Sequence, residues 1–129
     1  MVQEFARDRI LPNAEAIDKL DKELSLGLLR EMGELGLIGV DTPEEYGGTE
    51  LDKITSCIVT EGMARGGSPS FSCTFSVQTG IGSMGIVFYG TPAQKEKYLP
   101  KMMTGEWVNA YALTEPGAGS DALSGKTTA

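Results

Sequence analysis

The sequence contains no histidine, only two cysteines and a single tryptophan. Without histidine, no imidazole-based zinc site and no Ser-His-Asp or Cys-His relay can be assembled within the chain. Cys57 and Cys73 belong to no CxxC pair, so a redox motif is also excluded, and both thiols are expected to be buried in a reducing compartment. No run of Lys or Arg exists that could track phosphates or dock on anionic lipid. With Lys+Arg at 11 against Asp+Glu at 18, the net charge is −7. An excess of that sign argues against nucleic acid as partner and favours solubility. The N-terminal MVQEFARDRILP carries acids and lacks both the apolar core of a signal peptide and the acid-poor composition of a transit peptide.

Charge is also missing from Gly66 to Gln94. The stretch FSCTFSVQTGIGSMGIVFY has the look of a membrane span, but hydroxyls, a glutamine and glycines interrupt it and basic anchors do not flank it. It is expected to form one or two helices buried on most sides. Its small residues leave open a second use, as a wall for something apolar.

What remains is an ordinary globular balance, 40% apolar and 22% charged in 129 residues, sufficient for one domain with a core. Val2, Phe5, Ile10, Ile17 and Leu20 give an imperfect helical stripe broken at Pro12. Leu24, Leu28, Met32 and Leu35 mark a cleaner helix, with Leu29 beside them and Gly36 as its stop. Leu51, Ile54, Ile58 and Met63 are expected to form the buried stripe of a third, ending at Gly66-Gly67. Thr91, Pro92 and Gln94 spell a capping box for a last helix, which buries Tyr98, Leu99, Met102 and Met103 and stops at Gly105. From Glu106 to Thr114 the pattern turns β-prone, with Trp107, Val108, Tyr111 and Leu113. The expected architecture is mainly α: a helical bundle domain over 1–105, then the first strand of an incomplete β domain over 106–129. A lone strand needs partners, so the chain reads as a piece of a longer one. No internal repeat or low-complexity tract is present.

The strand runs into TEPGAGSD, Thr114 to Asp121. Glycines and Ser120 could turn several N–H groups toward one anion, and the same residues also make a plain turn. Gly117, Gly119 and Ala122 match the G-x-G-x-x-A of NAD-dependent dehydrogenases, but that turn must open a helix and needs an acid some twenty residues on. Ser124-Gly125 is poor helix material and the sequence ends first, so that reading is rejected. A non-catalytic helical interaction module is the further alternative.

Taken whole, AYALTEPGAGSDALS resembles the first signature of the acyl-CoA dehydrogenase family. EFARDRILPNAEAID, LLREMGELGLIGVDTPEEYGGTELD and GTPAQKEKYLPKMMTGEW resemble the family's upstream blocks, in order. The resemblance implies the N-terminal helical domain and the start of the middle β-barrel domain of an FAD flavoprotein. Such an enzyme converts acyl-CoA thioesters to trans-2-enoyl-CoA in fatty acid β-oxidation and passes electrons to an electron-transfer flavoprotein. It also implies flavin contacts for Tyr111, Leu113, Thr114, Gly119 and Ser120. Thr114 would meet the pyrimidine edge, while Gly119 and Ser120 would hold the pyrophosphate. Ser120, Gln78, Thr79 and Gly82 would adjoin the acyl-CoA, with the small side chains leaving room for a medium or long straight chain.

The resemblance places the catalytic base in a C-terminal domain beyond this sequence, so no catalytic residue is expected here and the piece alone is expected to be inactive. Glu115 is read as structural, bonding its own loop. No metal is implied. A homo-oligomer is expected of the full protein, in the cytoplasm, or in the mitochondrial matrix if a transit peptide precedes. By itself the piece should expose apolar surface that the missing domains would cover.

Overall fold

A computed structural model of the chain describes residues 1–128. The fold is helical. The first apolar stripe becomes a composite helix: α1 (Val2–Phe5), a π-helical turn (Ala6–Ile10), a 3-10 turn (Leu11–Asn13) and α2 (Ala14–Asp18). Pro12 lacks an N–H and its ring crowds the carbonyl one turn back, so the winding changes beside it. The stripe ends earlier than expected. Leu20 lies outside the helix with a φ of 68° and points to solvent.

α3 (Lys22–Glu34) starts at Asp21, whose carboxylate accepts from the Leu24 N–H at 3.0 Å. It buries Leu28, Leu29 and Met32 and closes on Gly36, which takes the left-handed backbone expected of a helix stop, φ 68°. The loop after it includes a short 3-10 turn, Glu44–Tyr46, and is held by backbone bonds from Thr49 to Gly39 and from Leu51 to Val40.

α4 (Lys53–Ala64) keeps only part of the expected stripe: Met63 is buried as expected, together with Val59, whereas Ile54, Ile58 and Leu51 just before the helix are exposed. The first helix decides the inward side. Val2 and Ile10 press so closely on α4 that a Cβ at Gly62 or Gly66 would stand 2.7 and 2.6 Å from them. The glycine side of α4 is therefore the packed side.

The uncharged stretch forms α5 (Pro69–Thr79) and α6 (Met84–Tyr89), broken by turns at Gly80–Ser83. Together they are long and apolar enough to cross a membrane, by length and composition only, and 28% of that window is buried. Burial on most sides does not hold. Phe71, Phe75 and Gln78 face inward, while Cys73, Ile81, Phe88 and Tyr89 face out. Cys57 is exposed as well, so the expectation of buried thiols fails for both cysteines.

Ser68 caps α5, donating to Asp18 at 2.7 Å and accepting from the Phe71 N–H at 3.1 Å. This bond ties the end of α2 to the start of α5, and it holds the Asp18 carboxyl below its ordinary range.

α7 (Pro92–Met103) has the complete Thr91–Gln94 capping box and buries Leu99, Met102 and Met103, with Tyr98 half-buried. Its end is pinned from two sides. Gly105 adopts φ 69° beneath α3, and Gly33 of α3 lies against Thr104. Between the helices, Phe5, Ile10, Leu28, Met32, Ile38, Met63, Phe71 and Leu99 form one core.

Candidate functional site

Beyond α7 the chain leaves the helices as the segment 106–114. Among the described residues it has no ladder partner, so the expected strand is not formed. This follows from the need of a strand for a neighbour. A side chain supplies part of what the neighbour would. Gln78, fully buried at the end of α5, donates through Nε2 to the carbonyls of Met102 (2.8 Å) and Trp107 (2.9 Å). Its Oε1 accepts from the Asn109 N–H at 2.9 Å, and Asn109 Nδ2 returns a bond to the Gln78 carbonyl at 3.1 Å.

Gln78 therefore has no surface or free polar group to offer a ligand. Gly82 is filled from the same side, since a Cβ there would stand 2.5 Å from Asn109 Cβ. Its missing side chain makes room for the following segment. Gly82 does border an open cleft of about 480 Å³, together with Ile86, Met102, Trp107 and Ala110. Thr79 lies one residue beyond Gln78, half-buried, its hydroxyl bonded to the Phe75 carbonyl at 3.0 Å.

Tyr111, Leu113 and Thr114 follow on the same segment, all exposed. Among the described residues the Thr114 hydroxyl and amide bond no protein group. Leu113 and Thr114 line a recess of about 460 Å³ with Glu115, Ala122 and Thr127.

The turn that follows is closed by a reciprocal pair of bonds between Glu115 and Ala118, each 3.0 Å. The Glu115 carboxylate faces away from the turn. Its oxygens accept from the Thr127 hydroxyl (2.5 Å), the Lys126 N–H (2.5 Å) and the Thr127 N–H (3.0 Å). These donors, the Thr127 hydroxyl first, hold its pKa below the ordinary value. The carboxylate thus bonds residues 126 and 127 of the chain's own loop. Asp121 accepts from the Ser124 hydroxyl and opens only a short 3-10 turn, Ala122–Ser124. No helix stands where the dinucleotide fingerprint requires one.

Gly117 and Gly119 are not glycine for the sake of a left-handed backbone or a close contact. Neither takes the left-handed backbone, and a Cβ on either would meet nothing within 4 Å. The amides of Gly117, Gly119 and Ser120 have no acceptor among the described residues. The turn is thus bare backbone with N–H groups free to meet something from outside the chain. Unpaired amides beside two positions without a side chain leave room for an anion such as a phosphate to approach, to which a Cβ would be the obstacle.

Two groups escaped the sequence reading. Asn109 is a lone amide in an otherwise apolar, β-prone run, and that incongruity is the signal it offered. Asp18 gave none, because its partner Ser68 is distant in sequence.

Fold and site define a helical domain that ends in an extended segment and a bare glycine turn. The family model described as "Acyl-CoA dehydrogenase, N-terminal domain" matches residues 1–106. The chain belongs to the acyl-CoA dehydrogenase family. It is 51% identical over 127 residues to a probable acyl-CoA dehydrogenase of Bacillus subtilis (strain 168), covering 98% of this chain and 21% of that protein. It matches the crystal structure of an acyl-CoA dehydrogenase complexed with FAD from Bacillus anthracis with a TM-score of 0.91 and 48% identity, covering 97% of this chain and 21% of that one. A glutaryl-coenzyme A dehydrogenase–glutaryl-CoA complex matches with a TM-score of 0.79 and 37% identity, covering 95% and 31%. The chain therefore spans between 21% and 31% of the length of these relatives.

Proposed function

We propose that this chain forms part of the flavin and acyl site of an FAD-dependent acyl-CoA dehydrogenase. The reaction is α,β-dehydrogenation of an acyl-CoA thioester to the trans-2-enoyl-CoA, with FAD as hydride acceptor. The observation that carries the reading is the bare turn: two glycines that nothing inside the chain requires, beside unpaired amides. In this reading the Gly119 and Ser120 amides hold the pyrophosphate, and the Ser120 hydroxyl adjoins the thioester. Thr114 presents its free hydroxyl and amide to the pyrimidine edge, where donors favour the negative charge that grows on reduction. Tyr111 and Leu113 pack beside the ring. Thr79 and Gly82 lie toward the acyl chain, while Gln78 serves through the backbone it holds. Glu115 keeps its loop, so the α-proton goes to a base outside this chain. An electron-transfer flavoprotein as oxidant, a homo-oligomeric state and a cytoplasmic setting complete the proposal.

The test is spectroscopic. The full open reading frame containing this chain is expressed, purified and mixed anaerobically with straight-chain acyl-CoA thioesters. The proposal expects a yellow protein whose visible flavin absorbance bleaches on mixing. A colourless protein that reduces NAD⁺ would favour the nicotinamide reading. A colourless protein inert to both would favour an interaction module.

A further inference from the structure

We infer that Gln78 and Asn109 are positioning residues, forming a reciprocal amide clamp that sets the register of the flavin-facing segment. The inference rests on the flavin reading above. In a parallel β ladder, one residue donates its N–H to the carbonyl before its partner and accepts from the N–H after it. The Gln78 side chain does the same to residue 108, donating to the Trp107 carbonyl and accepting from the Asn109 N–H. A single buried amide thus plays the part of a neighbouring strand. Its second N–H shares the Met102 carbonyl at the end of α7 with the Gly105 N–H, and Asn109 Nδ2 takes the Gln78 carbonyl, left over at the end of α5. The clamp therefore joins two helix ends to one point of the segment, and Gly82 lets Asn109 approach closely enough to close it.

Only one register satisfies this set. Slipping the segment by one residue turns the Trp107 carbonyl and the Asn109 N–H away from Gln78 and strands a buried amide. The same slip moves every residue beyond by one position, so Thr114 would leave the place it holds beside Leu113. Gln78 and Asn109 therefore decide which side chains meet the flavin without touching it.

The test compares Gln78→Glu, Asn109→Ala and a control, Ser76→Ala on the exposed side of α5, by two readouts. Gln78→Glu keeps the shape but loses both donors. Asn109→Ala, at a half-buried position, carries the test if Gln78→Glu fails to fold. The first readout is amide hydrogen exchange of the chain itself. Exchange of the amide at position 109, which bonds the side chain of residue 78, is expected to rise about fivefold or more, as for one lost hydrogen bond, with α3 changed less than about twofold by the distance of the change. The second is the visible spectrum and FAD affinity of the full reading frame, where a shifted flavin band and about tenfold weaker binding are expected. Unchanged exchange in both variants overturns the clamp. Raised exchange with an unaltered flavin band and affinity overturns the positioning role alone. A parent frame without flavin overturns the functional reading and the positioning role together.

Discussion

Gly33, in the last turn of α3, lies against the backbone of Thr104: a Cβ on Gly33 would stand 2.5 Å from the Thr104 carbonyl carbon and oxygen. A glycine inside a helix costs about 1 kcal/mol relative to alanine, and here that cost is offset by a contact that no other residue permits. Gly33→Ala is expected to destabilise the fold by about 1–3 kcal/mol, the range of overpacked cores. Gly27, in the same helix, has nothing within 4 Å of its Cβ position. Gly27→Ala should stabilise by about 0.5–1 kcal/mol. Urea denaturation of the pair measures the opposite signs, and equal effects would refute the contact.

The Glu115 clasp predicts a pH dependence. Its folded pKa lies below the ordinary value of 4.5, held there first by the Thr127 hydroxyl. The stabilisation is therefore fully present above that ordinary value and is lost as pH falls through the depressed folded one. Intrinsically corrected exchange of the Lys126 and Thr127 amides should rise below pH 4.5, and Glu115→Gln should flatten the rise. A clasp equally protected at all acidic pH values would contradict the assignment.

Ile54, Cys57 and Ile58 present an apolar face of α4 to solvent. Exposed apolar patches drive association, so the chain should self-associate in a concentration-dependent way. Ile54→Lys with Ile58→Lys should shift it toward monomer in sedimentation analysis. The melting temperature should change by only a few degrees, because exposed substitutions stay within about 0.5 kcal/mol. Cys57 and Cys73 should both react with a thiol reagent in the folded state.

Where the sequence carried local signals, they could be read. The Thr91–Gln94 box, the stops at Gly36 and Gly105 and the core face of α3 each depend on neighbours in the chain. The failures were tertiary. Periodicity marks an apolar side of α4 but not which side is covered, and the glycines at 62 and 66, not the isoleucines, received the first helix. The strand after Glu106 was legible as β-prone and as lacking a partner in the sequence, but not as the partnerless extended segment it forms, since a ladder depends on segments outside it. The glycine turn was legible as a motif. That its glycines are open rather than left-handed required coordinates, as did the use of the Gln78 amide as a surrogate strand. A glutamine in an apolar helix looks the same in sequence whether it meets a ligand or a backbone.

The bare turn carries the flavin site most directly, and Gly119→Val tests it. Position 119 has an ordinary backbone and open space around its Cβ, so the variant chain should melt within about 2 °C of its parent, as for a surface change below about 0.5 kcal/mol. If the turn holds the flavin pyrophosphate, equilibrium titration of the full reading frame should show FAD binding weakened at least about tenfold. Unchanged FAD affinity in a folded Gly119→Val protein would contradict the central claim.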